Sequence, residues 1–296
     1  MTTPKPPPTT PSLPPISRLH PLSLTTSLAN YTAIITGAAS PLGIGRATAH
    51  AFAAAGCSHI YICDLPALPS TPSNLVLLSH ELTSLFPGCT AHPRHFDASC
   101  EDDVKAVVDE AVKETGRLDI FFANAGVGGN LLDMAEVGAE AFMATLRVNA
   151  LSVFLAIKYG APAMIAAARQ RRVAAEDGKG GKQGKKASAG SIIATASVAA
   201  LRSNAGGSDY SASKAAVMNL VQTAAYQLAG SGVRVNAGTR HKMGQINPLK
   251  REAGADEVAR VVAFLAGEGS SYVQGQGWAV DGGLSAGLPY ALGKLA

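Results

Sequence analysis

Tyr210 and Lys214 stand one helical turn apart in the segment Tyr210-Ser-Ala-Ser-Lys214, which is predicted to be helical. Side chains at positions i and i+4 of a helix share a face, so the ammonium of Lys214 can act on the phenol of Tyr210. A free tyrosine has a pKa of about 10, roughly three units too high for a base at neutral pH, and a nearby cation lowers it. The pair therefore predicts proton-transfer chemistry, although the same spacing also occurs on ordinary exposed helices.

A serine hydroxyl is a candidate partner for this pair. Ser197 ends the apolar run Ser191–Ser197, which predicts a buried strand. Such a strand would present the hydroxyl of Ser197 at its carboxyl edge. The alternative is an ordinary strand-end serine.

The glycine-rich stretch Thr36–Gly45 falls where a predicted strand turns into a predicted helix. There, backbone N–H groups and a helix N-terminus can bind a pyrophosphate, and glycines let the phosphate approach without a Cβ in the way. The candidate binding residues are Gly37, Ser40, Gly43, Ile44 and Gly45. Turns also need glycine for their own geometry, so the cluster alone leaves both interpretations open.

An acidic residue follows the second predicted strand. Asp64 is placed to accept hydrogen bonds from the ribose hydroxyls of an adenosine and to repel a 2′-phosphate. No basic residue precedes Gly43 in the glycine-rich stretch to offset that repulsion. The expected cofactor is therefore NAD, with NADP disfavoured, and the alternative for Asp64 is a helix-capping or turn residue.

The elements that position these residues alternate between short apolar strands and amphipathic helices. Strands are predicted at Thr32–Thr36, His59–Cys63, Ala91–Phe96, Leu118–Ala123 and Ser191–Ala196, and helices at Gly43–Ala55, 74–86, Glu101–Thr115, from Leu132 toward Arg172, around Tyr210, and from Ala255. This alternation predicts an α/β fold with a doubly wound parallel sheet.

Length and composition allow one or two soluble domains, and the alternation of strands and helices favours one. The 296 residues, 47% of them hydrophobic, can bury one large core. The four cysteines stand singly, without C-x-x-C pairs or histidines at metal-ligand spacing, so we expect reduced cysteines of an intracellular protein and no metal site. No run reaches about 18 apolar residues, and no signal-peptide block is recognised, so no membrane contact is expected.

Two segments differ in composition from the predicted domain at 30–288. Residues 1–29 are rich in Pro, Ser and Thr and contain no acid, which predicts a disordered tail; mitochondrial import is an alternative, disfavoured by the scarcity of Arg. Residues 174–190 form a Gly/Lys-rich stretch, predicted as a solvated inserted loop. A nucleic-acid contact there is disfavoured because no aromatic residue is interleaved. Residues 289–296 are predicted as a C-terminal tail.

The order and spacing of these motifs resemble the short-chain dehydrogenase/reductase family. The resemblance covers residues 31 to 288 and adds further motifs at Asp97, Asn124-Ala-Gly126, Asn149, Val233-Arg-Val-Asn236 and Val280-Asp-Gly-Gly283. It implies a single-domain Rossmann fold with a sheet of about seven strands and helices on both faces. It also implies assembly as a homodimer or homotetramer through the long helices.

The resemblance implies roles for the cofactor-binding residues. Asp97 and Ala98 would lie near the adenine, and Ile44 would offer backbone to the pyrophosphate. The cofactor cleft would be lined by Asn124, Ala125 and Gly126. Asp97 has the alternative of capping the following helix, and Asn124 that of serving turn geometry.

The same resemblance implies the catalytic roles. Tyr210 would exchange a proton with the substrate, and Lys214 would lower the Tyr210 pKa and bind the nicotinamide ribose. Ser197 would hold the substrate oxygen. Asn149 would position a water that relays protons to Lys214, or would merely satisfy backbone groups in a kinked helix.

The chain departs from the family pattern at Ala123, where many relatives have Asn, at Ala196, where a Ser is frequent, and in two loops. The glycine-rich stretch carries two additional residues, Pro41 and Leu42, which a surface turn tolerates. The second loop departs further, because only eleven residues separate Asn236 from Pro248, where relatives have a Pro-Gly turn and a helical lid. Residues 238–248 are therefore predicted to be a truncated lid, which weakens substrate selection and turnover.

Two functions follow. The first is an NAD-dependent oxidoreductase that interconverts a small secondary alcohol and a ketone in the cytoplasm. The alternative is an NAD-binding protein with impaired or no catalysis, because the lid is missing or has been removed by a gene-prediction error.

Overall fold

The computed structural model describes residues 26–66, 74–176, 188–202, 205–240 and 247–286. Within them, seven parallel strands form one sheet in the order β3-β2-β1-β4-β5-β6-β7. The strands are β1 (Thr32–Thr36), β2 (His59–Asp64), β3 (Thr90–His95), β4 (Ile120–Ala123), β5 (Gly190–Ser197), β6 (Val233–Arg240) and β7 (Gly277–Val280). The predicted single-domain, doubly wound α/β fold is confirmed.

Helices cover both faces of the sheet. They are α1 (Ile44–Ala54), α2 (Asn74–Leu85), α3 (Glu101–Thr115), α4 (Ala139–Leu146), α5 (Ser152–Glu176), α6 (Ser208–Gln227) and α7 (Ala255–Ala266). One apolar core joins the sheet to α3, α5 and α6, and the other joins it to α1, α2 and α7. Burial on both faces explains why the central strands β1 and β4 are apolar without alternation.

The strand order reverses between β1 and β4, because β1 continues on one side to β2 and β4 continues on the other to β5. Connections leave these two neighbours toward opposite sides, which opens a crevice at their carboxyl ends. Thr36 and Ala123 end the two strands. The glycine-rich stretch and Asn124 therefore meet at this crevice.

The long helix predicted from Leu132 begins later and is not continuous. Residues before Ala139 form turns, and Gly138 is the N-cap of α4 with an extended backbone. A π-helical turn, Arg147–Leu151, then separates α4 from α5. Glycine is unfavourable inside a helix, which weakens helix formation before Gly138. The apolar pattern does not show where α-helical winding changes to a π-helical turn.

Two boundaries predicted from composition are wrong. Leu28, placed in the N-terminal tail, is fully buried, and its N–H donates to the Ala55 carbonyl at 2.8 Å, so the fold begins before residue 30. Residues 238–240, placed in the shortened lid, continue β6, and Arg240 pairs with Ser197 in the sheet register. The strand extends because β5 provides backbone partners up to its last residue.

Other predictions lie largely outside the described residues, namely those for 1–25, for most of the Gly/Lys-rich stretch (177–187), for 241–246 within the lid, and for 287–296. Helix α5 extends to Glu176, inside the predicted inserted loop. The four cysteines are free, and Cys57, Cys63 and Cys89 are buried, as expected of reduced cysteines.

One helical stretch of the described chain is long and apolar enough to cross a membrane. It spans Ala139–Ala174 (36 residues, mean hydropathy 1.6), and 44% of its most apolar part is buried inside the fold. Core helices of soluble proteins meet the same criterion. Helix α5, the longest part of this stretch, packs on β4, β5 and α3 as such a helix does.

Candidate active site

Lys214 lies in the interior beside Tyr210 on α6. Its side chain is only 4% exposed, and Nζ donates to the Thr195 carbonyl oxygen at 2.8 Å. Nζ lies 5.8 Å from the centroid of the Tyr210 ring, as one helical turn predicts. Burial lowers the pKa of Lys214 to about 8, because an ammonium without water is less stable. The ion held near the phenol is therefore poised to titrate close to neutral pH.

Ser197 ends β5, two residues beyond the carbonyl that holds Lys214. Its side chain is 2% exposed, and Oγ accepts a hydrogen bond from the Ala199 N–H at 3.1 Å. This bond caps the 3₁₀ turn Val198–Ala200, the ordinary structural use of a strand-end serine. The hydroxyl proton remains available to a substrate oxygen, so the two interpretations are compatible.

Asn149 lies in the π-helical turn and is fully buried. Its side chain binds both backbone groups of Val127, Oδ1 accepting from the N–H at 2.8 Å and Nδ2 donating to the carbonyl at 3.0 Å. Nδ2 also donates to Ser213 Oγ at 2.9 Å. The backbone-satisfying alternative for Asn149 thus describes its contacts. These contacts also attach the segment after β4 to the helix that carries Tyr210 and Lys214.

Gly126 fills the space between these groups. A Cβ at this position would lie 3.0 Å from Asn149 Oδ1 and 3.4 Å from Lys214 Nζ. The first distance is tighter than most Cβ contacts, so a side chain would displace Asn149, whereas the second is an ordinary van der Waals contact. The glycine therefore lets the backbone after β4 run directly beside the ammonium.

The glycine-rich stretch has the geometry that a phosphate requires. Gly37 has a φ of 70°, and a Cβ at Gly45 would collide with the Gly37 carbonyl oxygen. Gly43 is the N-cap of α1, and no side chain among the described residues caps that end. The first N–H groups of a helix lack intrahelical partners, so this end can hold an anion. The inserted Leu42 is 88% exposed, as expected of a surface turn.

Asp64 ends β2 against the same stretch. Its Oδ2 accepts from the Ala39 N–H at 2.7 Å, and Oδ1 accepts from the Leu65 N–H at 2.9 Å. Arg46, in the first turn of α1, is the cationic residue that directly follows the glycine-rich stretch in the sequence. It forms an ion pair with Glu81 of α2. A carboxylate, rather than a free guanidinium, thus borders the stretch where an adenosine ribose would bind.

Asn124 joins the ends of three strands. Nδ2 donates to the carbonyls of Thr36 at 3.0 Å and Gly37 at 3.2 Å, and Oδ1 accepts from Thr195 Oγ1 at 2.9 Å. The turn-geometry alternative therefore accounts for the Asn124 side chain. Ala125 packs beside Gly37, because a Cβ on Gly37 would lie 3.0 Å from the Ala125 Cα.

Asp97 and Ala98 follow β3 and take no part in these contacts. Asp97 is exposed, and its Oδ1 accepts from both the N–H and the hydroxyl of Ser99 at 2.8 Å. The N-cap of α3 is Cys100, so Asp97 stabilises the preceding turn rather than capping the helix.

Three residues of the site were missed by sequence reasoning. Thr36 Oγ1 accepts from the N–H groups of Asn124 at 3.0 Å and Ala125 at 2.9 Å. Thr195 holds Lys214, and Asp209 is a fully buried carboxylate directly before Tyr210. A polar residue inside an apolar strand was a usable signal for the threonines. The acid at the start of a helix gave none, because acids are common there.

An open cavity of about 830 Å³ lies elsewhere, at the amino ends of β5 and β6. It is lined by the turn 228–232 and by Gln274–Gln276, and none of the predicted site residues contributes to it. Among the described residues, no group of three or more His, Cys, Asp or Glu side chains could hold a metal ion.

A crevice at the reversal of strand order is the dinucleotide site of doubly wound sheets, so the fold defines a dinucleotide-binding α/β protein. The profile described as short chain dehydrogenase matches residues 31–240, and one described as enoyl-(acyl carrier protein) reductase matches residues 238–285. The chain belongs to the short-chain dehydrogenase/reductase family, whose members are oxidoreductases that bind a nicotinamide cofactor, NAD or NADP.

Characterised relatives are similar along most of their length. The 3beta-hydroxysteroid dehydrogenase 2 of Eggerthella lenta is 33% identical over 279 residues, covering 88% of this chain and 96% of the relative. The cyclohexanol dehydrogenase of an Acinetobacter species is 32% identical over 268 residues, covering 86% and 94%. The crystal structure of levodione reductase aligns with a TM-score of 0.75 at 27% identity, covering 88% of this chain and all of that one.

Replacing Lys214 by Met should stabilise the protein at neutral pH. A buried lysine whose pKa falls from 10.5 to about 8 makes the folded state bind protons less readily than the unfolded one. Compared with a pH above 10.5, the buried charge lowers the free energy of unfolding by about 3 kcal/mol below pH 8. Replacing Lys214 removes this cost but also removes the hydrogen bond to Thr195, which contributes about 1 kcal/mol. We expect Lys214→Met to raise the free energy of unfolding by about 1–3 kcal/mol at pH 7.

The advantage of the variant should shrink as the pH rises from 8 to 10.5 and should vanish above it, where wild-type Lys214 is neutral in both states. Urea unfolding at pH 7 and pH 10 measures it, with exposed Lys105→Met as the control. A Lys214→Met variant that is less stable at both pH values by the same amount would contradict the burial of a costly ammonium.

Proposed function

We propose that this protein is an NAD-dependent oxidoreductase that interconverts a secondary alcohol and a ketone. The observation that carries the proposal is the burial of the Lys214 ammonium against Thr195 O, one turn from Tyr210. Among the residues that the structure describes, no carboxylate pairs with Lys214, so its charge stays available to a phenolate. This arrangement suits a tyrosine that gains and loses a proton during each turnover.

In the proposed reaction, Tyr210 takes the hydroxyl proton of the alcohol or returns it to the ketone oxygen. Ser197 donates its hydroxyl proton to the same oxygen and holds it in place. Lys214 stabilises the phenolate electrostatically and binds the nicotinamide ribose. Asn149 holds a water near Lys214 through which protons reach solvent. The bound nicotinamide cofactor supplies the hydride acceptor or donor.

The charges near the glycine-rich stretch, those of Asp64, Arg46 and Glu81, support NAD over NADP as the cofactor. The Asp64 carboxylate borders the glycine-rich stretch and would repel a 2′-phosphate, while Arg46 is engaged by Glu81. The remaining cofactor contacts are proposed at Gly37, Ser40, Gly43, Ile44, Gly45, Asp97, Ala98, Asn124, Ala125 and Gly126. Asp97 is the least supported of these, because its carboxylate is used by Ser99.

The relatives' names indicate which substrates to test first. The two dehydrogenases described above are named for a hydroxysteroid and for cyclohexanol, each a hydroxyl compound with a carbon ring. We propose an alcohol on a carbon ring, or the matching ketone, as the substrate class.

The short connection after β6 favours the alternative of cofactor binding without efficient turnover. Six residues lead from Arg240 to Asn247, which is too few for a helical lid with its turns. Without a lid, water enters the site and substrate discrimination falls. The same cofactor titration that tests the oxidoreductase separates the two proposals.

We further propose a homodimer or homotetramer in the cytoplasm, acting on a small molecule and not on nucleic acid or membrane. Helices α5 and α6 support the assembly, since they expose Phe154 (45%) and Tyr226 (86%).

Tyr210→Phe should abolish turnover while leaving cofactor binding intact. Losing a general acid/base lowers kcat by about 10²–10⁴-fold, whereas the ring that packs beside the cofactor is kept. Titration with NAD, followed by turnover assays on cyclic alcohols and ketones, measures both properties. Wild-type protein that binds NAD but turns over no substrate would favour the alternative function, and a Tyr210→Phe variant with unchanged kcat would remove Tyr210 from its role.

Asp64→Asn should shift the cofactor preference toward NADP by about tenfold or more, because it removes the charge that repels a 2′-phosphate. Asparagine can still accept from the Ala39 N–H, so the glycine-rich stretch keeps its support. Equilibrium binding of NAD and NADP to both proteins measures the shift. Equal affinity of the wild type for the two cofactors would contradict the role of Asp64.

A further inference from the structure

Asp209 is a fully buried carboxylate in the first turn of α6. It accepts hydrogen bonds from three different segments: from the Tyr210 N–H at 2.8 Å, from Asn130 N at 3.0 Å and Nδ2 at 3.1 Å, and from Thr145 Oγ1 at 2.7 Å. Buried carboxylates are rare unless they are fully hydrogen-bonded, as this one is. The side chain therefore joins α6, α4 and the segment that follows β4.

Hydrogen bonds keep Asp209 ionised despite its burial. Burial by itself would raise the pKa of the carboxyl, but the bonds from Thr145, Asn130 and Tyr210 outweigh it and bring the pKa below the ordinary value of 3.8. The positive end of the α6 dipole acts in the same direction. A neutral side chain at this position would lose this charge-assisted bonding.

Two glycines let the segments approach the carboxylate. A Cβ at Gly129 would lie 2.7 Å from Asp209 Oδ1, and Gly129 has a φ of 68°, which few other residues adopt. A Cβ at Gly207 would collide with the Asn130 carbonyl oxygen. The backbone around Asn130 thus lies against the start of α6 with no space for a side chain at either glycine.

The segment Val127–Asn130 is attached to the catalytic helix at both ends. Asn149 holds Val127 and donates to Ser213 Oγ, which in turn donates to the Tyr210 carbonyl at 2.7 Å. Asp209 holds the other end at Asn130. Beyond that point the chain exposes apolar side chains, Leu131 by 88% and Met134 by 79%.

We propose that Asp209 is a positioning residue that fixes the apolar segment Leu131–Met134 beside Tyr210 as the substrate-facing wall of the site. This rests on the proposed oxidoreductase function. Because the connection after β6 is short, this wall supplies the apolar surface that contacts the body of the substrate. Loss of the carboxylate then disturbs both the approach of the substrate and the alignment of Tyr210.

The test compares Asp209→Asn with Asp119→Asn. Asp119 is a buried carboxylate (5% exposed) at the other end of the sheet, where it binds the Thr32 N–H and Arg117. Both variants remove one buried charge and both should lower stability. Only Asp209→Asn should raise KM and lower kcat, reducing kcat/KM by about 10- to 100-fold while leaving NAD affinity within about twofold.

Thr145 offers a graded series on the same carboxylate. Thr145→Val removes one hydrogen bond to Asp209 and should reduce kcat/KM by about three- to tenfold, whereas Thr145→Ser keeps the hydroxyl and should restore it. An equal loss in kcat/KM for Asp209→Asn and Asp119→Asn, or wild-type kinetics in Asp209→Asn, would overturn the positioning role.

Hydrogen exchange separates this proposal from the proposed function, because it needs no turnover. In Asp209→Asn, amides of residues 127–134 should exchange at least tenfold faster than in the wild type, and those of β1 should stay protected. If the variant showed this faster exchange but the wild type had no turnover, the proposed oxidoreductase function would be rejected and the attachment of the segment would stand. Unchanged exchange in residues 127–134 would overturn the attachment, whatever the activity.

Discussion

The ammonium of Lys214 is removed from water and held by one carbonyl, that of Thr195 at 2.8 Å. An isolated buried cation is costly, so its surroundings must be held rigidly for the charge to be useful to Tyr210. Strand β5 supplies the carbonyl, α6 supplies both the lysine and the tyrosine, and the backbone at Gly126 passes within reach of the ammonium. Each of these elements is fixed by contacts that do not involve Lys214 itself. These contacts allow the ammonium to stay buried although its burial is unfavourable.

Those contacts are amide, hydroxyl and carboxylate groups that bind backbone. Asn124 joins the ends of β1, β4 and β5, Asn149 fixes Val127, and Asp209 fixes Asn130. Each buried side chain satisfies peptide groups that an irregular segment at the end of a parallel sheet leaves without partners. The crevice at the reversal of strand order therefore keeps its shape without regular secondary structure. Polar groups left over at its surface, such as the N–H groups at the start of α1, are then available to a ligand.

The sequence allowed the fold to be predicted well where local signals agree. Helix α3 matches its predicted bounds, because three acids open its first turn and Gly116 ends it with a φ of 70°. The start of α4 and the π-helical turn at Asn149 were not predictable from the apolar pattern, and the side chain of Asn149 binds Val127, 22 residues away. The positions of Tyr210, Lys214 and Ser197 followed from spacing, but the buried bonds of Asp209 did not, because a helix-opening acid is ordinarily solvated. Long-range partners of short polar side chains are the part that pattern alone cannot supply.

Because the connection after β6 is short, other parts of the proposed site must supply the contacts to the substrate. Strand β6 stays paired with β5 up to Arg240, opposite Ser197, so the sheet is complete as far as the serine proposed to hold the substrate oxygen. Asn247, seven positions after Arg240, packs against Gly282 beyond β7. In the proposed function, recognition of the substrate body falls to the segment after Asn130, which exposes Leu131 and Met134. Its attachment to α6 through a buried charge gives that segment the rigidity that a closing lid would otherwise provide.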